Sequence, residues 1–397
     1  MPWSKRFRTS GRSWFNGKAM VEASTQRFRR EPELSGTLPA SYYYDPAIFE
    51  REREAIWFKT WQLVGYVHDL AKPGDYITAD ILDQKVFVVR DKSGELRAFY
   101  NVCMHRGHIL AEGKGSKTIF TCPFHAWSYD TDGRLRAAGN AENVAGFKLE
   151  DFSLVPIQVE TLLNMVFVNL DDTAPSLRSQ TVGLEDQVRA TVKGFDRMKF
   201  ARRDRFSIKA NWKFILDQLE CYHCPHLHPE VTRTVDWTKR ESFEYGIWQR
   251  HRQTVRSDID NQGLDKAYRL EPDQPQQKSN IWYLWPNYLF ISHWGVANFK
   301  VFSAWPNDPE TSFEYVDNFS LNEVPTEAEV AAFNRFRDVA NPQDISAMEL
   351  QQQGCKARGY RQGRLMVDAD HSWRSEHATH HFQRMVWEAL HGADYPS

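Results

Sequence analysis

The chain is poor in cysteine, has no long apolar run and carries little net charge, and each shortage excludes a class of protein. Its 397 residues include five cysteines, an odd and sparse set that does not predict a disulfide framework. No stretch reaches the roughly 18 apolar residues that a membrane helix requires, so no membrane span is expected. A formal net charge of −2 argues against nucleic acid or an anionic membrane surface as a partner.

What is present is typical of a folded globular protein, with 41% hydrophobic and 26% charged residues over a length that suits two domains. The first thirty residues differ, because they hold eight basic residues and a single acid, Glu22. We interpret residues 1–35 as a basic N-terminal arm. An organelle transit peptide is the alternative, since such peptides share this basic, acid-poor composition.

Hydrophobic patterning divides the rest of the chain into three parts. Residues 36–60 contain strong helix formers with a helical period and predict an N-terminal helical segment. Residues 61–170 alternate or run apolar over strand lengths and predict a small all-β domain. Residues 171–397 mix predicted strands with helices at 184–192, 212–222, 326–339, 344–353 and 377–391. Because strands are followed by helices, the expected fold class is α+β.

A first group of metal-ligand residues lies in the β-rich part. It reads Cys103-x-His105, then sixteen residues, then Cys122-x-x-His125. Two thiolates with two imidazoles suit a Rieske [2Fe-2S] cluster, in which histidine replaces cysteine on one iron. The same four donors also suit a structural zinc ion, and the spacing alone leaves both open. Each pair follows a predicted strand, so two loop tips are expected to close over one shared site.

A second group follows about a hundred residues later, as His223-x4-His228 with Glu220 just before it. Two histidines and a distant carboxylate suit a mononuclear iron that keeps coordination positions open, although zinc is again a rival. Asp344 can supply the carboxylate. Its alternative role is the N-cap of the predicted helix that it opens after Pro342.

Both groups resemble the Rieske non-haem iron oxygenases. The runs from Cys103 to Gly107 and from Cys122 to Trp127 resemble the two Rieske loops of that family. The stretch from Asn211 to His228 resembles its mononuclear iron motif, and 344–354 resembles the late helix whose opening Asp binds iron. The resemblance therefore implies Cys103, His105, Cys122 and His125 as cluster ligands, and His223, His228 and Asp344 as ligands of mononuclear iron.

The resemblance also implies an architecture and partners. It assigns residues 61–170 to a Rieske domain and 171–397 to a catalytic domain with an antiparallel sheet surrounded by helices, on which 36–60 packs. Glu220 would be the bridge that carries electrons from the cluster of one subunit to the iron of the next, in a homotrimer. A separate flavin and iron–sulfur reductase would supply electrons from NAD(P)H, with O2 as co-substrate. Because metal-binding thiolates need a reducing compartment, a cytoplasmic protein is expected.

Glu220 also directs the prediction of the substrate, since many ring-hydroxylating members of the family carry Asp at this position. The run Glu-Cys-Tyr-His-Cys resembles the branch that oxidises quaternary ammonium compounds such as carnitine, choline and betaines. We therefore expect hydroxylation of a C–H next to a quaternary nitrogen, followed by C–N cleavage. Aromatic faces are expected to hold the cation. Most of the strand aromatics are expected to pack in a core and two or three to line the pocket, from Trp282, Tyr283, Trp285, Tyr288, Phe290 and Trp294.

Three alternatives remain at this point. An aromatic ring-hydroxylating dioxygenase would use the same metals with a different pocket. A zinc-stabilised binding module would use the same donors without oxygen chemistry. A Rieske protein that only transfers electrons would leave the second group of donors without a role.

Overall fold

The computed structural model describes residues 27–219, 221–259, 269–270 and 277–396, so most of the predicted basic arm lies outside the described residues. Seventeen strands form three sheets within these ranges. The strands are β1 Gln62–Tyr66, β2 Asp75–Ile81, β3 Gln84–Arg90, β4 Leu96–Tyr100, β5 Lys114–Ser116, β6 Ile119–Thr121, β7 Ser128–Asp130, β8 Leu135–Ala137, β9 Pro156–Leu162, β10 Met165–Asn169, β11 Lys199–Ile208, β12 Val235–Tyr245, β13 Trp248–Val255, β14 Lys278–Leu284, β15 Tyr288–Ser292, β16 Phe299–Asp308 and β17 Thr311–Ser320.

Ten strands build the N-terminal β region. Seven of them pair in the order β1-β10-β9-β4-β3-β2-β5, and β6-β7-β8 form a small separate sheet. The buried side chains of Phe120, Tyr129 and Leu135 from the small sheet pack with Cys103 and Cys122 in one apolar cluster. The small sheet therefore supports the loops that carry the first ligand group.

The second seven-stranded sheet has the order β11-β17-β16-β15-β14-β13-β12, and its neighbouring strands are antiparallel. Side chains alternate between its two faces. Trp282, Phe290 and Val301 pair across three strands and lie in the main core. Ile281, Ile291 and Lys300 pair across the same strands and line a cavity on the opposite face. The predicted α+β fold class is confirmed by these sheets and the helices around them.

The helices are mostly where the sequence predicts them. They are α1 Pro46–Glu52, α2 Leu177–Gln180, α3 Leu184–Thr191, α4 Trp212–Leu216, α5 Cys224–Leu227, α6 Pro229–Thr232, α7 Glu327–Arg335, α8 Asn341–Cys355 and α9 His377–His391, with π-helical turns at Arg53–Trp57 and Phe336–Ala340 and 3-10 turns at Pro32–Leu34, Ala40–Tyr43, Val67–Leu70, Ala141–Asn143, Leu149–Phe152 and Phe195–Arg197. No helix in the described ranges is long and apolar enough to cross a membrane.

Two helix predictions were wrong in their bounds. The helix predicted over 212–222 ends at Leu216, although Asn211 caps it as expected by accepting a hydrogen bond from the backbone N–H of Lys213. Cys221 has a φ of +57°, a left-handed conformation that a right-handed helix cannot include. Helix α8 begins at Asn341, because the preceding π-helical turn runs directly into it, so Asp344 lies in the first turn and is not the N-cap.

A buried ion pair joins the N-terminal segment to the catalytic region. Nζ of Lys213 lies 2.5 Å from Oε1 of Glu52, and both side chains are completely buried. Nε1 of Trp212 donates to the other carboxylate oxygen at 2.9 Å. Burial lowers the pKa of Lys213, whereas the charge of Glu52 opposes that shift.

Removing Glu52 should therefore destabilise the fold strongly. We expect Glu52→Ala to lower the free energy of unfolding by about 3–5 kcal/mol, because it leaves a buried ammonium without a counter-charge. Urea denaturation followed by tryptophan fluorescence measures the change. Asp80→Ala is the control, since it breaks an ion pair with Lys85 in which the side chains are 56% and 50% exposed. Losing this exposed pair should lower the free energy of unfolding by less than about 1 kcal/mol. Equal losses in the two variants would contradict a stabilising role for Glu52.

Candidate active site

The first ligand group occupies two loops with the same backbone geometry. Cys103 follows β4 and Cys122 follows β6 directly, and both are buried. In each loop the residue four positions after the cysteine donates its N–H to the cysteine carbonyl at 3.0 Å, from Gly107 and from Ala126. Both of these residues have positive φ, 77° and 59°. Such tight turns bring the cysteine and histidine of each loop to one tip.

The two tips converge. The rings of His105 and His125 lie 4.7 Å apart between centroids, and His105 stacks on Trp127 at the same distance. The hydroxyl of Tyr129 lies 3.4 Å from Sγ of Cys103 and accepts a hydrogen bond from the N–H of Met104. The structure thus brings all four predicted donors together, with buried thiols and more accessible imidazoles. This donor set fits a Rieske cluster, in which two histidines replace two cysteines on one of the irons.

The second group also converges. His228 follows the single turn of α5, and Asp344 approaches from α8. Oδ1 of Asp344 lies 3.7 Å from Nε2 of His223 and 3.7 Å from Nδ1 of His228. Asp344, which lies at least 116 positions after the histidines, therefore presents its carboxylate to the same point as the two imidazoles. Two imidazoles and one carboxylate are the donor set of a facial-triad iron site.

Unsatisfied polar atoms support a metal at this point. Nδ1 of His228 and Oδ1 of Asp344 are buried and have no hydrogen-bond partner among the described residues. Burial raises the pKa of Asp344 to about 6 and lowers the pKa of His228. Buried polar groups without partners are costly, and a bound cation relieves that cost for an imidazole nitrogen and a carboxylate together. The residues present therefore fit a mononuclear iron.

Cys224 is a rival donor at this site. Its Sγ lies 3.7 Å from Nε2 of His223, and His223, Cys224 and His228 can all direct ligand atoms within 4.8 Å of one another. However, Cys224 forms a disulfide with Cys221, with their Cα atoms 5.2 Å apart. A disulfide sulfur offers no thiolate, so Asp344 is the better third donor. The five cysteines were not expected to form a disulfide framework, and this single pair arises because the turn at Cys221 brings the two residues together.

Two further residues of the predicted motif have different outcomes. Glu220 lies outside the described residues, so its role as the electron bridge stays a prediction. His226 is exposed on α5. His108, three positions beyond His105, is also exposed and directs Nδ1 to the carbonyl of Ile109.

A cavity of about 240 Å³ opens over the mononuclear site. Apolar side chains from the second sheet, α8 and the segment after α4 form much of its wall. The aromatic residues that line it are Trp237, Phe302 and Phe336. The strand aromatics proposed from the sequence do not line it; five of them pack in the main core, and Trp294 packs in a separate cluster with Val235 and Val255. The expectation that most of these rings pack in a core is confirmed. The expectation that two or three of them line the pocket was wrong, because the strand register directs the rings into the two apolar clusters.

Sequence reasoning also missed two charged residues in the cavity wall, Lys300 of β16 and Glu314 of β17, which are 3% and 1% exposed. Burial, and to a smaller extent the neighbouring charge of Asp344, raise the pKa of Glu314 to about 8. Burial lowers the pKa of Lys300 to about 8. A signal was present for Lys300, because it is a charged residue on a strand face that continues with Phe302 and Ala304.

Comparison with known families defines the class. The model of the Rieske [2Fe-2S] domain matches residues 60–148, and the model of the ring hydroxylating alpha subunit (catalytic domain) matches residues 195–392. The chain belongs to the Rieske non-haem iron oxygenases, as an alpha subunit that carries a [2Fe-2S] cluster and a mononuclear iron. This membership excludes the zinc-stabilised module and the protein that only transfers electrons.

Individual relatives are oxygenases named for quaternary ammonium substrates. The chain is similar to the carnitine monooxygenase oxygenase subunit of Acinetobacter baumannii, with 34% identity over 92% of this chain and 98% of that protein. It is 33% identical to the glycine betaine monooxygenase oxygenase subunit of Pseudomonas aeruginosa over 54% of this chain and 50% of the relative. The crystal structure of the quaternary ammonium Rieske monooxygenase CntA with L-carnitine superposes with a TM-score of 0.80 and 33% identity, covering 91% of this chain and 98% of that one.

The assignment of the iron ligands is testable with two histidines from the same turn. We expect His228→Ala to lower the iron content from about three to about two atoms per chain, because only the mononuclear iron is lost. Elemental analysis measures the iron, and the visible spectrum of the cluster should persist. His226→Ala is the control and should retain all of the iron. If His228→Ala retained it too, His228 would not be a ligand.

The assignment of the cluster ligands is testable with two buried cysteines. Cys122→Ser should abolish the visible absorption and the electron paramagnetic resonance signal of the reduced cluster, because a serine hydroxyl does not replace the thiolate that would bind the iron. Cys355→Ser is the matched control, since Cys355 is also buried but packs in the main core. A Cys122→Ser protein with an unchanged spectrum would refute the assignment.

Proposed function

We propose that the protein is the terminal oxygenase component of a monooxygenase that hydroxylates a C–H next to a quaternary ammonium nitrogen. The observation that carries the proposal is a predicted iron triad, His223, His228 and Asp344, facing a small cavity with aromatic rings in its wall. A quaternary ammonium group cannot donate hydrogen bonds, and aromatic faces bind it by cation–π attraction. The relatives named for carnitine and glycine betaine point to the same substrate class.

The chain's own residues prepare the reaction in three ways. His223, His228 and Asp344 would hold the metal by one face, which leaves the cavity side open to substrate and O2. Trp237, Phe302 and Phe336 exclude water and orient the cation. The bound iron supplies the oxygen activation. No titratable base is required of the cavity wall, because the attacked bond is a C–H bond beside nitrogen.

The overall reaction balances with two electrons from outside. O2 takes two electrons and two protons, so that one oxygen atom enters the C–H bond and the other leaves as water. The new hydroxyl group then loses its proton as the C–N bond breaks. The bonding electrons go to nitrogen, which takes up a proton, and the products are an aldehyde and a tertiary amine. NAD(P)H is the proposed electron source, through a separate flavin and iron–sulfur reductase.

The electron path is proposed to run between subunits of a homotrimer. The ring contacts of His105 and His125 are to each other, to Phe124 and to Trp127, all within the N-terminal β region. His125 is exposed, and Phe124 beside it is 55% exposed although it is apolar. An exposed apolar residue beside exposed ligands is consistent with a surface covered by a neighbouring subunit. Glu220 would form the bridge from that surface to the iron. We propose that the enzyme works in the cytoplasm.

An oxygen-uptake assay tests the function. The protein with a reductase and NADH should consume O2 when carnitine or a betaine is added, and an aldehyde and an amine should appear in equal amounts. Asp344→Ala should lower this rate by more than about a hundredfold, because the metal carries the oxygen chemistry. Aromatic acids such as benzoate are the comparison substrates. A cis-diol from an aromatic acid, without turnover of any quaternary amine, would replace this proposal by the dioxygenase alternative.

A further inference from the structure

The cavity over the predicted iron site contains one buried cationic side chain. Of the described residues that line it, Lys300 is the only lysine or arginine, and Glu314 and Asp344 are the carboxyl groups. Resting on the proposed function, we propose that the cavity selects zwitterions, because Lys300 binds an anionic group of the substrate while the quaternary ammonium group lies next to the iron. Lys300 is thus a specificity residue.

The environment of Lys300 shows a cation without a counter-ion. Its side chain is 3% exposed, and among the described residues no carboxylate lies within 4 Å of its ammonium group. Nζ of Lys300 lies over the ring of Phe336, at 4.8 Å from the ring centroid. Burying a charge in this way is expensive unless it is paired. A ligand carboxylate would supply the missing partner.

Neighbouring charges do not supply that partner. Asp204 on β11 pairs with Arg202 at 2.8 Å and also receives a hydrogen bond from Asn318, so its carboxylate is occupied. Burial and the charge of Lys300 lower the pKa of His293, which directly follows β15, to about 3, so this histidine is neutral. Lys300 is protonated at neutral pH, because burial lowers its pKa only to about 8. It is therefore the positive group of the cavity.

Glu314 lies in the wall of the same cavity. It is 1% exposed, and its Oε1 is buried without a hydrogen-bond partner among the described residues. This carboxyl oxygen is an unused acceptor that a cationic group of a ligand can approach.

Strand geometry separates the two groups. Glu314 pairs with Ala304 on β16, four residues beyond Lys300 on the same face. Four residues of a strand span about 13 Å between Cα atoms. The long side chains of Lys300 and Glu314 both reach the cavity, so the distance between the ammonium and carboxyl groups is shorter than this Cα separation. A short zwitterion can then lie along the sheet face, with the carbon next to nitrogen directed to the iron and the anionic group directed to Lys300.

Pairs of ligands that differ only in charge test the proposal. L-carnitine and its methyl ester share one skeleton, and glycine betaine and choline are similar in size. Binding to the purified enzyme is measured by calorimetry under anaerobic conditions, without turnover. We expect each zwitterion to bind about 10 to 100 times more tightly than its cationic counterpart, since charge-assisted contacts contribute about 1.5–3 kcal/mol.

Variants then assign the effect to residues. Lys300→Met should remove the preference by weakening only the zwitterions, and Lys300→Arg should restore part of it. Glu314→Gln keeps a polar side chain of the same size and should leave the preference for zwitterions in place. Lys278→Met is the matched control on β14 of the same sheet, where Lys278 pairs with Glu241 and is partly exposed; it should change nothing. KM should rise in Lys300→Met with carnitine while kcat changes little.

The outcomes separate the two proposals. Equal binding of carnitine and its ester by the unaltered enzyme would overturn the role of Lys300, even if Lys300→Met failed to fold. Equal losses for both ligands in a folded Lys300→Met protein would overturn it as well. In either case turnover of quaternary amines would still support the proposed function. Turnover of aromatic acids, with no binding of any quaternary amine, would overturn both.

Discussion

Alternation of side chains along antiparallel strands is the constraint on which this molecule depends. The second seven-stranded sheet must bury one face in the main core, so every second residue of its central strands is committed to packing. On the opposite face, Ile281, Ile291 and Lys300 line the cavity. Because the side-chain period is two, a slip of one residue in the register would exchange the core for the cavity.

The site is built from polar groups that the fold leaves without partners. A protein interior satisfies most of its buried polar atoms, and the exceptions call for an explanation. Three of these exceptions, Nδ1 of His228, Oδ1 of Asp344 and Oε1 of Glu314, belong to one cavity. A bound metal would satisfy the first two, and a ligand with a cationic group would approach the third. The cost of these unsatisfied groups is offset by packing elsewhere, including the core that joins both sheets.

The core also explains how one chain combines two metal centres. Tyr66 from β1 donates to Asp317 on β17, and Tyr288 from β15 donates to Gln62 on β1. These buried contacts attach the N-terminal β region to the second sheet, while its ligand loops extend away on a separate apolar cluster. The cluster is thereby carried on a rigid support with its histidines accessible. Such an arrangement suits electron delivery to another subunit, as proposed for the trimer.

The sequence alone determined the donor types and their order, because each ligand pair lies within six residues and the chemistry of thiolate, imidazole and carboxylate is local. Fold class, the helix at 377–391 and the cap at Asn211 were also readable from local patterns. Only tertiary structure decided that Asp344 reaches the histidines, that Cys221 and Cys224 join, and that Trp237, Phe302, Lys300 and Glu314 share one cavity. These depend on strand register and on contacts between distant segments, which no short window of sequence contains.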